Sequence, residues 1–305
     1  MQRTVIAISL LALAGANAAA AQDEGAQAAN ANARQLNAAA RAVNLSAHAM
    51  PARREPGGGS ASSTAAPQAA CKGTIYLTFD TGSQSQADLI ADTLKRHHIR
   101  ATFFLANEKT VRGDYSLDPS WSAYWKARVA EGHAVGSHTF DHVYLVKDGA
   151  QDKITVKPQF GANAGKVMDW TPAQYCDEIK RVDQRFVELT GQHLDPIWRA
   201  PGGRVSARTL AAGKACGFAH VAWAKAGFSG DELSSTAYPN AVLLAKSLRE
   251  LKDGDIFLAH MGIWSRKDPW APANLEPLIS GLEQKGFCFA TLREHPDYSS
   301  FFGRK

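Results

Sequence analysis

From Cys71 onward the apolar positions of the chain follow two alternating periods. "GTIYLTFD" (73–80), "RATFFLA" (100–106), "HAVGSH" (133–138), "PIWRAP" (196–201), "FAHVAWA" (218–224), "DIFLAHM" (255–261) and "FCFATL" (287–292) are short apolar or alternating runs of strand type. Between them lie segments with helical spacing. "SQADLIADTLKRHH" (85–98) places Leu89, Ile90 and Leu94 on one face, with Ser85 as a cap. "TPAQYCDEIKRVDQRFVELTG" (171–191) carries Pro172 in its first turn and stops at Gly191. Further helices are predicted over 119–132, 206–217, 237–251 and 274–286.

Strictly alternating strands and helices predict a parallel sheet with crossover helices. Seven strands without a reversal signal suit a barrel better than an open sheet, so the expected fold is α/β, an irregular (β/α) barrel of about seven parallel strands. Chemistry in such barrels collects where strands end and loops begin. Asp80, His138, Arg199 and His260 each lie at or just beyond the end of a different predicted strand. That placement gives a reason for a buried strand to finish on a carboxylate.

The pattern upstream is different. Residues 1–21 hold one early arginine, an apolar run from Val5 to Leu13 and small residues with Ala-x-Ala spacing, the marks of a secretory signal cleaved near Ala19 to Ala21. The run is too short to span a bilayer, and no stable membrane span is expected after its removal. Residues 22–70, rich in Ala, Asn, Gln, Ser and Gly, read as a flexible linker, which leaves 71–305 as the folded catalytic domain. The expected location is periplasmic or extracellular. The formal charge of +5 is concentrated in the first third and is not a nucleic-acid footprint. A 45% hydrophobic content supports a large core. Four cysteines, Cys71, Cys176, Cys216 and Cys288, permit three full pairings in an exported protein. If the last strand neighbours the first, Cys71–Cys288 is the easiest bridge; Cys176 with Cys216 would require a departure from that layout. None of the four falls in a strand-end motif.

"TFDTG", "SHTFDH", "RAPGGR" and "FLAH", in this order over about residues 72–295, resemble the NodB-type polysaccharide deacetylases, carbohydrate esterases of family four. The resemblance implies a metal-dependent hydrolase that removes N-acetyl groups from a polymeric amino sugar and releases acetate. His138 and His142 would hold a divalent cation, zinc first, since imidazole suits borderline transition metals. Their spacing of four puts both rings on one face if a helix starts at His138. Asp80 would be the general base, Arg199 the residue that orients it and holds its pKa low, and His260 the general acid. Asp231 is the candidate that orients His260. Trp223 is a candidate for lining the acetyl pocket, and Gly203 shapes a turn beside it. Each residue also has a plainer role open to it: a turn-capping aspartate, a surface ion pair, or a buried hydrogen-bonded histidine or tryptophan. His133, at the far end of its strand from His138, reads as structural.

One position departs from the family. A second aspartate usually follows the base and binds the metal; here Thr81 stands there, a poorer ligand. Three consequences are open. The cation is held by His138, His142 and water; or Asp141, near the same face, supplies the carboxylate; or the metal is lost and the chain is a non-catalytic glycan-binding relic. O-deacetylation of an acylated polysaccharide is the rival within enzymes. Three long segments bring Tyr115, Trp121, Tyr124 and Trp125, then the stretch after His142, then Trp264 and Trp270, and are expected to rim the barrel mouth. Their rings would stack on a glycan, Trp264 among them, or else pin the loops to the barrel. Oligomeric state is not legible from the sequence.

Overall fold

Strand β1 (Gly73–Asp80) is buried from Ile75 to its end and organises the rest. It pairs in parallel with β2 (Thr102–Leu105) on one side and β9 (Ile256–His260) on the other, and its first residues pair with β10 (Phe287–Phe289). The structure, a computed structural model, describes residues 71–302; the signal and linker assigned to residues 1–70 lie outside them. From β2 the sheet continues through β3 (Ala134–Ser137), β7 (Ile197–Trp198) and β8 (Ala219–His220), every pair parallel. After β8 the chain crosses to the opposite edge. The Ala224 N–H donates to the Ile256 carbonyl at 3.0 Å and the Ser229 N–H to that of Leu258 at 3.1 Å. One short stretch thus bonds to β7 at its start and to β9 at its end, which curls the seven strands into an irregular barrel, as the alternation predicted.

Helices α1 (Ala87–Arg96), α2 (Ser122–Ala130), α3 (Pro172–Thr190), α4 (Ala207–Ala215), α5 (Asn240–Glu250) and α6 (Trp270–Gln284) make the connections, and a short α7 (Ser299–Phe302) follows. The ends of α3 are written in the sequence. Thr171 and Gln174 form a reciprocal capping box, and Gly191 takes the left-handed conformation, φ 77°, that ends the helix. Among the described residues no helix is long and apolar enough to cross a membrane.

Three expectations are corrected. The segment after His142 is not a loop but an antiparallel meander: β4 (Val143–Asp148), β5 (Ile154–Pro158) and β6 (Met168–Trp170). Its Val143, Leu145, Ile154 and Val156 pack on Tyr175, Ile179 and Trp198, so it is held to the barrel by an apolar face of its own. The polar run 149–153 that hides the pattern is the hairpin turn, closed by a Gly149 N–H bond to the Lys153 carbonyl of 2.8 Å. Second, the segments do not present Trp121, Trp125 and Trp270 at the mouth; of the two roles open to these rings they take the pinning one, buried in the main core where they anchor their segments. Third, Cys176 and Cys216 are neighbours across the packed helices α3 and α4, and both are free thiols. Burial and the neighbouring Cys176 thiol push the Cys216 thiol up to about 12. Cys71 and Cys288 are bridged, with Cα atoms 5.7 Å apart, because β10 lies beside the start of β1 as expected.

Candidate active site

Asp80 closes β1 directly across from His260 on β9 and Phe104 on β2. Its carboxylate is 2% exposed. Oδ1 accepts a 2.7 Å hydrogen bond from Arg199 Nη1, and Oδ2 stands 3.5 Å from His138 Nε2. Arg199, fully buried just past β7, is fixed on several sides. Nη1 also donates to Thr78 Oγ1 at 2.8 Å, Nε donates to the Val221 carbonyl at 3.3 Å, and the guanidinium lies 4.2 Å over the Phe104 ring. Arg199 was expected to hold Asp80 low. Burial is the stronger influence and raises the pKa of Asp80 above the usual carboxylate range, while Arg199 and then His260 pull it back.

His138 leaves β3 with its N–H bonded to the Leu105 carbonyl at 2.7 Å. No helix begins there. Thr139 and His142 adopt positive φ, 60° and 48°, and the chain turns back tightly into β4. Such conformations are costly for residues with side chains and persist only where the surroundings impose them. Here Thr139 Oγ1 accepts from the Val143 N–H at 2.8 Å, and the Phe140 N–H donates to the Glu178 carbonyl at 3.2 Å. The turn achieves what a helix was expected to do: the two imidazole rings lie 5.0 Å apart, centroid to centroid.

The protonation of His138 follows from its partners. Nδ1 lies 2.9 Å from the Arg199 carbonyl, which can only accept, so Nδ1 carries the hydrogen and Nε2 keeps its lone pair. Burial, with the neighbouring His142 next, holds its pKa well below the ordinary histidine value. His142 Nδ1 is buried without a hydrogen-bond partner, and its ring lies 5.2 Å from that of Tyr144 and 6.3 Å from that of Phe160, both contributed by the meander region. Two imidazoles, one with an aimed lone pair beside a carboxylate, are a donor set suited to a divalent cation. Among the described residues no three His, Cys, Asp or Glu groups converge on one point. Asp141 does not complete the set: its carboxylate pairs with Arg181 at 3.1 Å and packs over Gly161.

His260 is the opposite case. Nδ1 stands 2.9 Å from Asp231 Oδ1, while its own N–H donates to Asp231 Oδ2 at 2.6 Å. Ser229 Oγ and the Asp231 N–H complete a tight turn around that carboxylate. Burial opposes charge on the ring, but Asp231 first, with Glu232 and Asp80 behind it, raises the His260 pKa to about 10. Asp231 therefore holds the place beside His260 for which it was a candidate.

Trp223 is buried, wedged between Arg199 and Gly203. Gly203 has φ 64°, and a Cβ there would stand 2.7 Å from the Trp223 ring, so the turn admits only glycine. Trp264 alone of the proposed platform tryptophans is open, at 61% exposure. His133 is structural: its Nδ1 accepts from the Ala101 N–H at 2.9 Å. Thr81 is 1% exposed, its hydroxyl engaged with Glu108. Sequence reasoning missed Glu108, Thr78 and Tyr144. Thr78 was within reach, since it is two residues before Asp80 on the same strand and shares its face. Tyr144 was hidden by reading its segment as a loop, and Glu108 lies beyond the end of β2 with no pattern to mark it.

The description of the family named Polysaccharide deacetylase matches residues 68–221, just over half of the chain. Over 230 residues, 75% of this chain, the sequence is 26% identical to the peptidoglycan-N-acetylglucosamine deacetylase PgdA of Listeria monocytogenes, and the match spans only 40% of that longer protein. It is 27% identical over 224 residues to the peptidoglycan-N-acetylmuramic acid deacetylase PdaA of Bacillus subtilis, covering 72% of this chain and 70% of that one. The fold superposes on the crystal structure of the Bc1960 peptidoglycan N-acetylglucosamine deacetylase with a TM-score of 0.54 at 22% identity, over 73% of this chain and 87% of the other. With its strand-end residues gathered around Asp80, this chain belongs to the polysaccharide deacetylase family.

Proposed function

We propose that the chain hydrolyses N-acetyl groups on a polymeric amino sugar of the peptidoglycan or chitin type, releasing acetate and a free amine. The observation that carries this reading is the single carboxylate Asp80, set between a neutral imidazole, a fixed guanidinium and a second imidazole held protonated. Asp80 takes a proton from the attacking water as the water oxygen bonds to the acetamide carbon. Its raised pKa makes it a stronger base than an exposed aspartate. Arg199 keeps the carboxylate in place. His260, oriented by Asp231, gives its proton to the nitrogen as the C–N bond breaks.

His138 and His142 are the residues that would hold a divalent cation, zinc first by its affinity for imidazole. When bound, such an ion polarises the acetyl oxygen and makes water more acidic. Tyr144 and the exposed Trp264 offer ring faces to a sugar chain, and Trp223 closes the pocket beside Arg199. The apolar run and Ala-x-Ala spacing of residues 1–21 support export, which suits a substrate outside the cytoplasm.

The test is acetate release from peptidoglycan, chitooligosaccharides and acetylated xylan by the wild type and by Asp80→Asn. Release from an N-acetylated polymer that Asp80→Asn abolishes supports the reading. Release from xylan alone moves it to O-deacetylation. No release from any of the three, with glycan binding retained, replaces it with a binding protein.

A further inference from the structure

The residue after the base is where this chain lacks a carboxylate, and the structure places another one behind it. Thr81 Oγ1 donates a 2.8 Å hydrogen bond to Glu108 Oε1 and accepts one of 2.9 Å from the Ala106 N–H. A hydroxyl has one hydrogen and two lone pairs, so these contacts leave one lone pair on the Thr81 oxygen. Glu108 is itself 8% exposed, and among the described residues no lysine, arginine or histidine pairs with it. Among the described residues the Thr81 hydroxyl is the side-chain donor bonded to the Glu108 carboxylate.

Its position is built rather than incidental. The Glu108 N–H donates to Ser116 Oγ at 3.1 Å, and its carbonyl accepts the Ser116 N–H at 2.9 Å. Because β2 lies between β1 and β3, the Thr81–Ala106–Glu108 group sits along the barrel mouth between the strand of Asp80 and that of His138.

We infer that Glu108, acting through the Thr81 hydroxyl, supplies the negative charge of the cation site that the residue following Asp80 does not carry. By drawing the hydroxyl hydrogen toward itself it enriches the remaining lone pair of Thr81, whose oxygen is held by the Ala106 N–H, next in the chain to the Leu105 carbonyl that holds the His138 N–H. Glu108 is a positioning residue in this scheme, and the neutral hydroxyl with its buried carboxylate replaces one carboxylate ligand. The inference rests on the reading of His138 and His142 as a cation site.

The experiment is Zn²⁺ affinity of the metal-stripped full chain, measured by competition with a chromophoric chelator, with thermal melts of each apoprotein as the check on folding. Glu108→Gln is expected to weaken binding about 10–100-fold, the usual effect of removing a partner behind a ligand. Thr81→Val, which leaves Glu108 in place, is expected to give a similar loss, Thr81→Ser little, and the Thr81→Val/Glu108→Gln double variant no more than either alone. Thr81→Asp in the Glu108→Gln background restores affinity. A Glu108→Gln or Thr81→Val protein that binds within twofold of the wild type overturns the inference, as do strictly additive losses or a wild type that binds no Zn²⁺. A wild type that binds Zn²⁺ in this pattern yet releases no acetate overturns the deacetylase reading and leaves this one standing. Acetate release together with an unaffected Glu108→Gln affinity does the reverse.

Discussion

His138, leaving β3, and His260, closing β9, stand on opposite sides of one carboxylate, and their second ring nitrogens meet opposite partners. The Nδ1 of His138 faces a backbone carbonyl at 2.9 Å; that of His260 faces the Asp231 carboxylate at the same distance. A carbonyl fixes a tautomer without repaying the cost of charge in a buried place, so His138 stays neutral with a lone pair to offer. A carboxylate repays that cost, and His260 holds its proton to about pH 10. In the proposed reaction one residue type serves as a ligand or as an acid according to the atom behind it. Asp80 stands between them as the group both serve.

The sharpest way to break the comparison is Asp80→Asn. Deacetylation is expected to fall about 10²–10⁴-fold while Zn²⁺ content persists, measured as acetate release and by atomic absorption. His138→Ala and His260→Ala come next and should separate. The first loses bound metal and activity together; the second keeps the metal and loses rate about 10²–10⁴-fold. Equal metal content in the two variants would erase the distinction drawn here.

A smaller effect, about tenfold at neutral pH, is expected for Asp231→Asn, and its signature is in the pH profile. Removing the carboxylate lets the His260 pKa fall, so the alkaline limb of kcat moves to lower pH. The same pair couples to stability. Because the folded-state pKa is raised, its contribution is complete below about pH 6.5 and is lost as pH rises toward about 10. Wild-type melting temperature should decline across that interval, and Asp231→Asn should lack that component of the slope. The smallest effect lies away from the site. Thiol titration of the unfolded chain should find two free cysteines, Cys176 and Cys216, beside the Cys71–Cys288 bridge. Cys176→Ser should leave one thiol and change activity less than twofold.

Much of this was legible because the barrel repeats one physical rule. Most strands are largely apolar, and several end at the mouth on a titratable side chain: Asp80, His138, Arg199 and His260 were picked out by that placement. What escaped lacks that rule. β4 to β6 carry only one apolar face and are interrupted by a polar hairpin turn, so they resembled loop. Glu108 is made relevant by a contact with a residue 27 positions away, which no local spacing encodes. For the tryptophans of the long segments the sequence left glycan stacking and loop pinning both open, and Trp121 and Trp125 bury their full rings because their segments need anchors of their own. Asp231 was found by its family position and is secured by a turn that Ser229 closes.

The neighbours of β1 carry a consequence for how the enzyme comes into being. The strand bearing Asp80 is flanked by residues 102–105, 256–260 and 287–289, and the Cys71–Cys288 link spans 217 positions. Contacts this distant in sequence close late in folding. A growing chain that has reached only β8 already contains the carboxylate, the arginine and the paired imidazoles, but it has neither the strand across from Asp80 nor the acid that completes the site. In the proposed reaction hydrolysis therefore waits for β9, and a chain that stops at β8 lacks the residue that would protonate the leaving amine.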